Sequence, residues 1–229
     1  MSQLPWLDHT LNFPSPHSAL KDPDGLLAAG GDLSIERIVA AYRAGIFPWF
    51  SDDQPILWWS PNPRCVIHPE QAYTSKSLRK HIRTSSLTLS FDTQFEMVIR
   101  HCARLNSEEG TWITPEMEEA YIQLHQEGIA HSVEVWENGE LTGGLYGLAI
   151  GRCFFGESMF SLKPNSSKVA FTSLCKQLNI WGYEIVDCQV ENPHLLSLGA
   201  STLDRSEFLS ILNTNIDLAP RAHSWTFDL

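Results

Sequence analysis

Asp187-Cys188-Gln189 lies in an apolar run, with Ile185 and Val186 before it and Val190 after it. On a strand, residues two apart share a face, so Asp187 and Gln189 point together and Cys188 points away. A carboxylate and an amide on one face of an apolar strand are costly unless they are paired or used. There the carboxylate can accept a proton or hold a cation, and the amide can donate to an oxyanion or orient a nucleophile. The bland alternative is a strand end where both groups are solvated. A second acid, Glu157, stands in Gly156-Glu-Ser-Met-Phe-Ser161 after an apolar strand. It would rim an apolar floor made by Met159 and Phe160, or occupy a strand-end turn. The aromatics Phe47, Trp49, Phe50, Trp58 and Trp59, with Trp112, suit an apolar pocket or the stacking of bases, although such residues are more often core.

The chain has 229 residues and a net charge of −11, which argues against a general nucleic-acid coat. The sum hides a segregation. Residues 61–91 carry five basic side chains and a single acid, Glu70. Four of those bases, Lys76, Arg79, Lys80 and Arg83, fall at i, i+3, i+4 and i+7, one face of a helix. Like charges at that spacing repel, so the stripe costs stability unless a polyanion covers it. A phosphate backbone fits that role, and a solvated helix face is the alternative. No Cys-x-x-Cys pair occurs among the five cysteines, which speaks for a reducing, cytoplasmic setting. No run of 18 apolar residues is present. His125 and His131 lack partners at zinc spacing, so no metal is expected.

Several elements must position these groups. A helix is predicted from about Ser34, as N-cap, to Ala44, with Gly45 as its stop. Ser60-Pro-Asn-Pro63 marks a boundary between a small domain, 1–62, and a larger one, 63–229. The larger part reads as the basic helix, a helix over Asp92–Leu105, and a helix opened by Thr114-Pro115 and ended by Gly128. A hairpin turning at Asn138-Gly139 follows, continued by Leu141–Ile150. Asn165 is read as the cap of a helix reaching about Leu178. A strand over Tyr183–Val190 and a helix over Arg205–Leu212 complete the order. This is an α+β or α/β arrangement, with helices on a mixed sheet. Gly143, Gly144, Gly147 and Gly151 are read as allowing close strand packing.

The segments Gly25-Leu-Leu-Ala-Ala-Gly-Gly-Asp-Leu33, Gly45-Ile-Phe-Pro-Trp-Phe50 and Trp58-Trp-Ser-Pro-Asn-Pro-Arg64 resemble the leucyl/phenylalanyl-tRNA–protein transferase family. So do Ala130-His-Ser-Val-Glu-Val-Trp136, Gly143-Gly-Leu-Tyr-Gly147, Phe155-Gly-Glu-Ser-Met-Phe-Ser161, Asp187-Cys-Gln189 and His194-Leu-Leu-Ser-Leu-Gly-Ala200. They run in family order from about Phe13 to Phe208. The resemblance implies a small N-terminal domain joined to an acetyltransferase-like (GNAT) domain, in a bacterial cytoplasmic enzyme. The implied activity moves Leu, Phe or Met from aminoacyl-tRNA to the α-amine of an N-terminal Arg or Lys, marking the acceptor for the N-degron pathway. No ATP, coenzyme A or metal is implied, because the ester is already activated, and a monomer is expected.

By the same resemblance, Asp187 and Gln189 activate and orient the amine, and Glu157 and Asp187 hold the acceptor's basic side chain. Trp49, Gly156, Met159 and Phe160 line the aminoacyl pocket, and Trp112 or a neighbouring aromatic stacks the terminal adenosine. Lys76, Arg79, Lys80 and Arg83 grip acceptor-stem phosphates. Lys76 stands where the family is expected to have Arg, which keeps charge but loses the bidentate fork. Two other readings stay open: a coenzyme A-dependent N-acetyltransferase, for which no pyrophosphate loop is found, and a non-catalytic tRNA- or N-degron-binding module.

Overall fold

The computed structural model describes residues 4–105, 113–221 and 224–226. A first, four-stranded sheet has the order β1-β2-β4-β3, from β1 (Trp6–Leu7), β2 (Leu26–Gly30), β3 (Phe47–Pro48) and β4 (Leu57–Trp59). Helix α1 (Ile35–Arg43) sits between β2 and β3. The chain then enters a seven-stranded sheet through β5 (Arg64–Ile67), followed by α2 (Lys76–Thr84), β6 (Leu87–Phe91), α3 (Phe95–Leu105) and α4 (Pro115–Gln126). Next come β7 (Ala130–Glu137), β8 (Glu140–Ile150), β9 (Cys153–Ser161), α5 (Ser166–Trp181) and β10 (Ile185–Gln189). The chain closes with α6 (Pro193–Ser197), β11 (Ser201–Leu203) and α7 (Arg205–Asn215). The second sheet has the order β11-β5-β10-β9-β8-β7-β6. Only β9 and β10 pair in parallel there, and α5 makes the crossover that a parallel pair requires. The expected mixed α/β architecture is present.

One face of the second sheet packs on α5 through Val169, Leu174 and Leu178. The opposite face packs on Val98 of α3 and Tyr121 of α4, in a core that also takes Ile38 and Tyr42 of α1 and Phe208 of α7. That second core is continuous across both sheets, so α1 is held against the face of the large sheet that carries α3 and α4. The glycines of β8 do allow close packing. A Cβ on Gly147 would lie 2.1 Å from the Phe155 carbonyl, and one on Gly143 would lie 2.3 Å from the Ser166 Cβ.

Some expected boundaries move. The helix expected from Asp92 begins at Phe95, because Asp92 has φ 55° and turns its carboxylate to the Ser132 N–H. Asn165 does precede α5, but its own φ is 71° and its side chain makes no cap. The Ser161 hydroxyl accepts from the Ser167 N–H instead. Ser34 likewise makes no side-chain cap on α1, since its hydroxyl donates to Asp32. Thr114 is a true cap, accepting from the Met117 N–H at 3.2 Å. The region around Glu157, for which a strand-end turn was one reading, is the interior of β9.

Candidate active site

β9 and β10 pair only as far as Phe155 and Asp187. Beyond that point they part, and the gap opens into a cavity of about 810 Å³. Its apolar wall comes from Met159 on β9, Val186 and Cys188 on β10, and Phe171 and Leu174 on α5. Phe47 and Trp49 close the cavity from the side of the small sheet.

Glu157 reaches this cavity through an irregularity in β9. Tyr146 of β8 pairs with Ser158 and Gly147 pairs with Gly156, which leaves Glu157 with no residue opposite. An extra residue of this kind re-aims a side chain. Glu157 turns to the side of α1 and α4, where Tyr42 donates to its Oε1 at 2.7 Å and Tyr121 to its Oε2 at 3.0 Å. The two tyrosine hydroxyls are themselves 2.6 Å apart, and Gln189 Nε2 donates to Oε1 at 3.1 Å.

Burial pushes the Glu157 carboxyl up to about 7; the tyrosine hydrogen bonds work against that rise and the nearby Asp187 charge adds to it. Proton bookkeeping agrees. Three close contacts among the two hydroxyls and the two carboxyl oxygens share two hydroxyl protons while Glu157 is ionised, and a proton on Glu157 supplies the third. Burial, foremost, and the charge of Glu157 hold both hydroxyls well above the ordinary tyrosine range, so they stay donors. The result is a carboxyl poised near neutrality beside an apolar cavity.

Asp187 has a different environment. It is fully buried, with its Oδ1 receiving Arg64 Nε at 2.8 Å and its Oδ2 receiving Arg64 Nη2 at 2.7 Å. Arg64 Nη1 donates to the Gly45 carbonyl, and the guanidinium lies between the rings of Phe47 and Phe208, 4.9 and 4.6 Å from their centres. Asp187 Oδ1 also accepts the Gln189 N–H at 3.0 Å. That bond holds Gln189 in a left-handed turn, φ 58°, at the end of β10. A chain of contacts therefore runs Arg64–Asp187–Gln189–Glu157.

The residues singled out from the sequence divide accordingly. Glu157, Gln189, Gly156, Met159 and Trp49 all line the cavity. The shared face expected for Asp187 and Gln189 is interrupted by a register shift of β10 between them: the Asp187 carboxylate turns to Arg64 and does not line the cavity, whereas Gln189 does. Phe160 is on the other side of β9 from Met159; its buried ring stacks on His101 of α3, 4.8 Å between centres. Trp112 lies outside the described residues. Lys76, Arg79, Lys80 and Arg83 are all exposed on α2, with no ion-pair partner among the described residues, while Leu78 turns inward.

Reading the sequence missed Tyr42, Tyr121 and the role of Arg64. Arg64 had a signal: a lone cation opening the apolar run Cys65-Val66-Ile67 needs a buried partner. The tyrosines had none, since each falls on the apolar stripe of its helix and reads as core.

The chain matches the family pattern described as leucyl/phenylalanyl-tRNA protein transferase over residues 66–213, and that family's N-terminal domain over residues 31–62. A leucyl/phenylalanyl-tRNA–protein transferase of Hahella chejuensis is 59% identical over 226 residues, covering 98% of this chain and 96% of that protein. The chain belongs to the leucyl/phenylalanyl-tRNA–protein transferase family. It is a transferase. A Pseudomonas fluorescens protein of the same name is 53% identical over 97% of this chain and 99% of its own length. Among solved structures, the chain is similar to a GCN5-related N-acetyltransferase from Kribbella flavida, with a TM-score of 0.36 and 10% identity, covering 71% of this chain and 58% of that one. No helix among the described residues is long and apolar enough to cross a membrane.

Proposed function

We propose that this transferase moves Leu, Phe or Met from the 3′ end of aminoacyl-tRNA to the α-amine of an N-terminal Arg or Lys, marking the acceptor for N-degron-dependent degradation in the cytoplasm. The observation that carries the chemistry is Glu157: a carboxyl raised to about 7, held by two tyrosines and Gln189, at the wall of an apolar cavity.

The electrophile is an ester, so attack by a neutral amine forms the peptide bond and expels the ribose hydroxyl. Neither ATP, coenzyme A nor a metal is needed for that step. The incoming α-ammonium, ordinarily near 7.7–8.0, must lose a proton. The attacking nitrogen sheds a second proton as the bond forms, and a base poised near 7 is matched to take that one and return it to the departing ribose oxygen. Gln189 gives its amide N–H to Glu157, and its amide oxygen, with no partner among the described residues, is free to align the amine. Asp187 acts as a positioning residue: it takes the Gln189 backbone N–H and is fixed in turn by Arg64.

Met159, Phe171 and Leu174 suit the side chains of Leu, Phe and Met, none of them branched at Cβ, and exclude a charged one by desolvation. Glu157 is also the acid best placed to attract a basic acceptor. Trp112, or a neighbouring aromatic such as the half-exposed Trp49 at the cavity, stacks the terminal adenine. The stripe on α2 suits acceptor-stem phosphates. Division at 62/63 into two domains is supported by one sheet ending at Trp59 and the next beginning at Arg64. The protein is proposed to act as a monomer.

Purified protein, radiolabelled Phe-tRNA and a peptide beginning with Arg, mixed without ATP or coenzyme A, test the reading. Label should enter the peptide and should not enter its Ala-initiated counterpart. Tight binding of Phe-tRNA without transfer would favour the binding-module reading, and neither binding nor transfer would overturn the tRNA assignment.

A further inference from the structure

Large hydrophobic side chains exposed on the described surface are not scattered evenly. Four of the ten, Trp49, Val190, Leu196 and Tyr73, belong to segments that connect the cavity to the start of α2. Trp49 and Val190 stand on the cavity wall itself. Leu196 belongs to α6, whose preceding residues Pro193, His194 and Leu195 also line the cavity. Tyr73 comes next: its backbone N–H donates to the Leu198 carbonyl at the end of α6, and α2 begins three residues later at Lys76.

Tyr73 is 55% exposed, and its ring has neither a ring contact nor a hydrogen bond among the described residues. Its backbone is nevertheless tightly held, since a Cβ on Gly199 would approach the Tyr73 nitrogen to 3.1 Å. A planar aromatic group on a fixed backbone, open to solvent, between an apolar cavity and a cationic helix is a stacking platform in search of a base.

We propose that Tyr73, flanked by Leu196, stacks the unpaired cytidines just before the terminal adenosine of aminoacyl-tRNA. This rests on the transferase reading above: with the adenosine at the cavity and the acceptor-stem phosphates on α2, the single-stranded nucleotides between them cross this surface. Stacking on an aromatic side chain is worth about 5- to 150-fold in affinity per base and tolerates any base. Unlike the lysine and arginine contacts, it releases no counterions, so it adds nothing to the salt dependence.

The test is equilibrium binding of Phe-tRNA and of 3′-phenylalanyl-adenosine to the wild type, Tyr73→Ala and Tyr73→Trp across a salt series. Tyr73→Ala should weaken Phe-tRNA binding at least about five-fold, with the salt slope unchanged. Tyr73→Trp should retain wild-type affinity. Phenylalanyl-adenosine, which ends before the crossing, should bind all three proteins within two-fold. Wild-type affinity for Phe-tRNA in Tyr73→Ala would overturn the inference, as would an equal loss for both ligands, which would mean that the cavity had been disturbed. A wild type that binds phenylalanyl-adenosine but not Phe-tRNA would overturn the tRNA reading itself.

Discussion

Arg64 and Asp187 are both fully buried and paired through two hydrogen bonds, so removing one leaves the other as an uncompensated charge. Arg64→Met should therefore destabilise the protein by about 3–5 kcal/mol, read by denaturant titration. Replacing both, as Arg64→Met with Asp187→Leu, should recover most of that loss, because two apolar groups of similar volume need no partner. Transfer should not recover with it, since the Gln189 N–H still lacks its acceptor. Recovery of transfer alongside stability would remove Asp187 from the positioning of Gln189. Glu157 makes a different demand. Its carboxyl binds a proton more tightly in the folded protein, at about 7, than in the unfolded chain, near 4.5. Between those values the folded state holds more protons, so stability falls as pH rises. Glu157→Gln should flatten the decline of Tm over that window, measured by calorimetry from pH 4.5 to 8. An unchanged slope would show that the group does not titrate there.

At the scale of elements, the bulge in β9 is what turns Glu157 away from its neighbours. It is set opposite Gly147, whose missing side chain lets the Phe155 carbonyl approach. Gly147→Ala should cost about 1–3 kcal/mol through this overlap with backbone, and should slow transfer by shifting the bulge. A variant with full stability and full activity would show that the strand adapts freely. Helix α2 carries the electrostatic prediction. Arg79→Ala with Arg83→Ala should weaken Phe-tRNA binding and reduce its log–log salt slope by about 1.5; a wild-type slope would return the stripe to the solvent. This helix was legible because period and charge agree on one face. The floor of the pocket was not legible in the same way. Met159 and Phe160 are adjacent, and on a strand adjacent residues face opposite sides; that rule alone separates Met159 at the cavity from Phe160 against His101. The bulge itself carries no period-2 signature, so nothing in Gly156-Glu-Ser-Met reveals it.

For the whole molecule, the sequence contained the mixed sheet, the hairpin at Asn138-Gly139 and the helix capped by Thr114 and ended by Gly128, because each depends on neighbours in the chain. It did not contain the assembly of the site. Tyr42 meets Glu157 across 115 positions and Arg64 meets Asp187 across 123, contacts that depend on how α1 docks against the large sheet and on the pairing of β5 with β10 within it. Asp187 read as a chemical group because its expense on an apolar strand was visible and its partner was not. The resulting account places proton transfer at Glu157, with Gln189 aligning the amine and Arg64–Asp187 fixing Gln189 from behind. Single-turnover transfer from Phe-tRNA to an Arg-initiated peptide, measured between pH 5.5 and 8.5, tests this most directly. In the wild type both the amine and Glu157 must lose a proton, so the logarithm of the rate should fall with a slope approaching two at the acid end. Glu157→Gln should be slower by about 10²- to 10⁴-fold and should keep only the slope of one that belongs to the amine. An acid limb of the same slope in both proteins would contradict Glu157 as the proton acceptor.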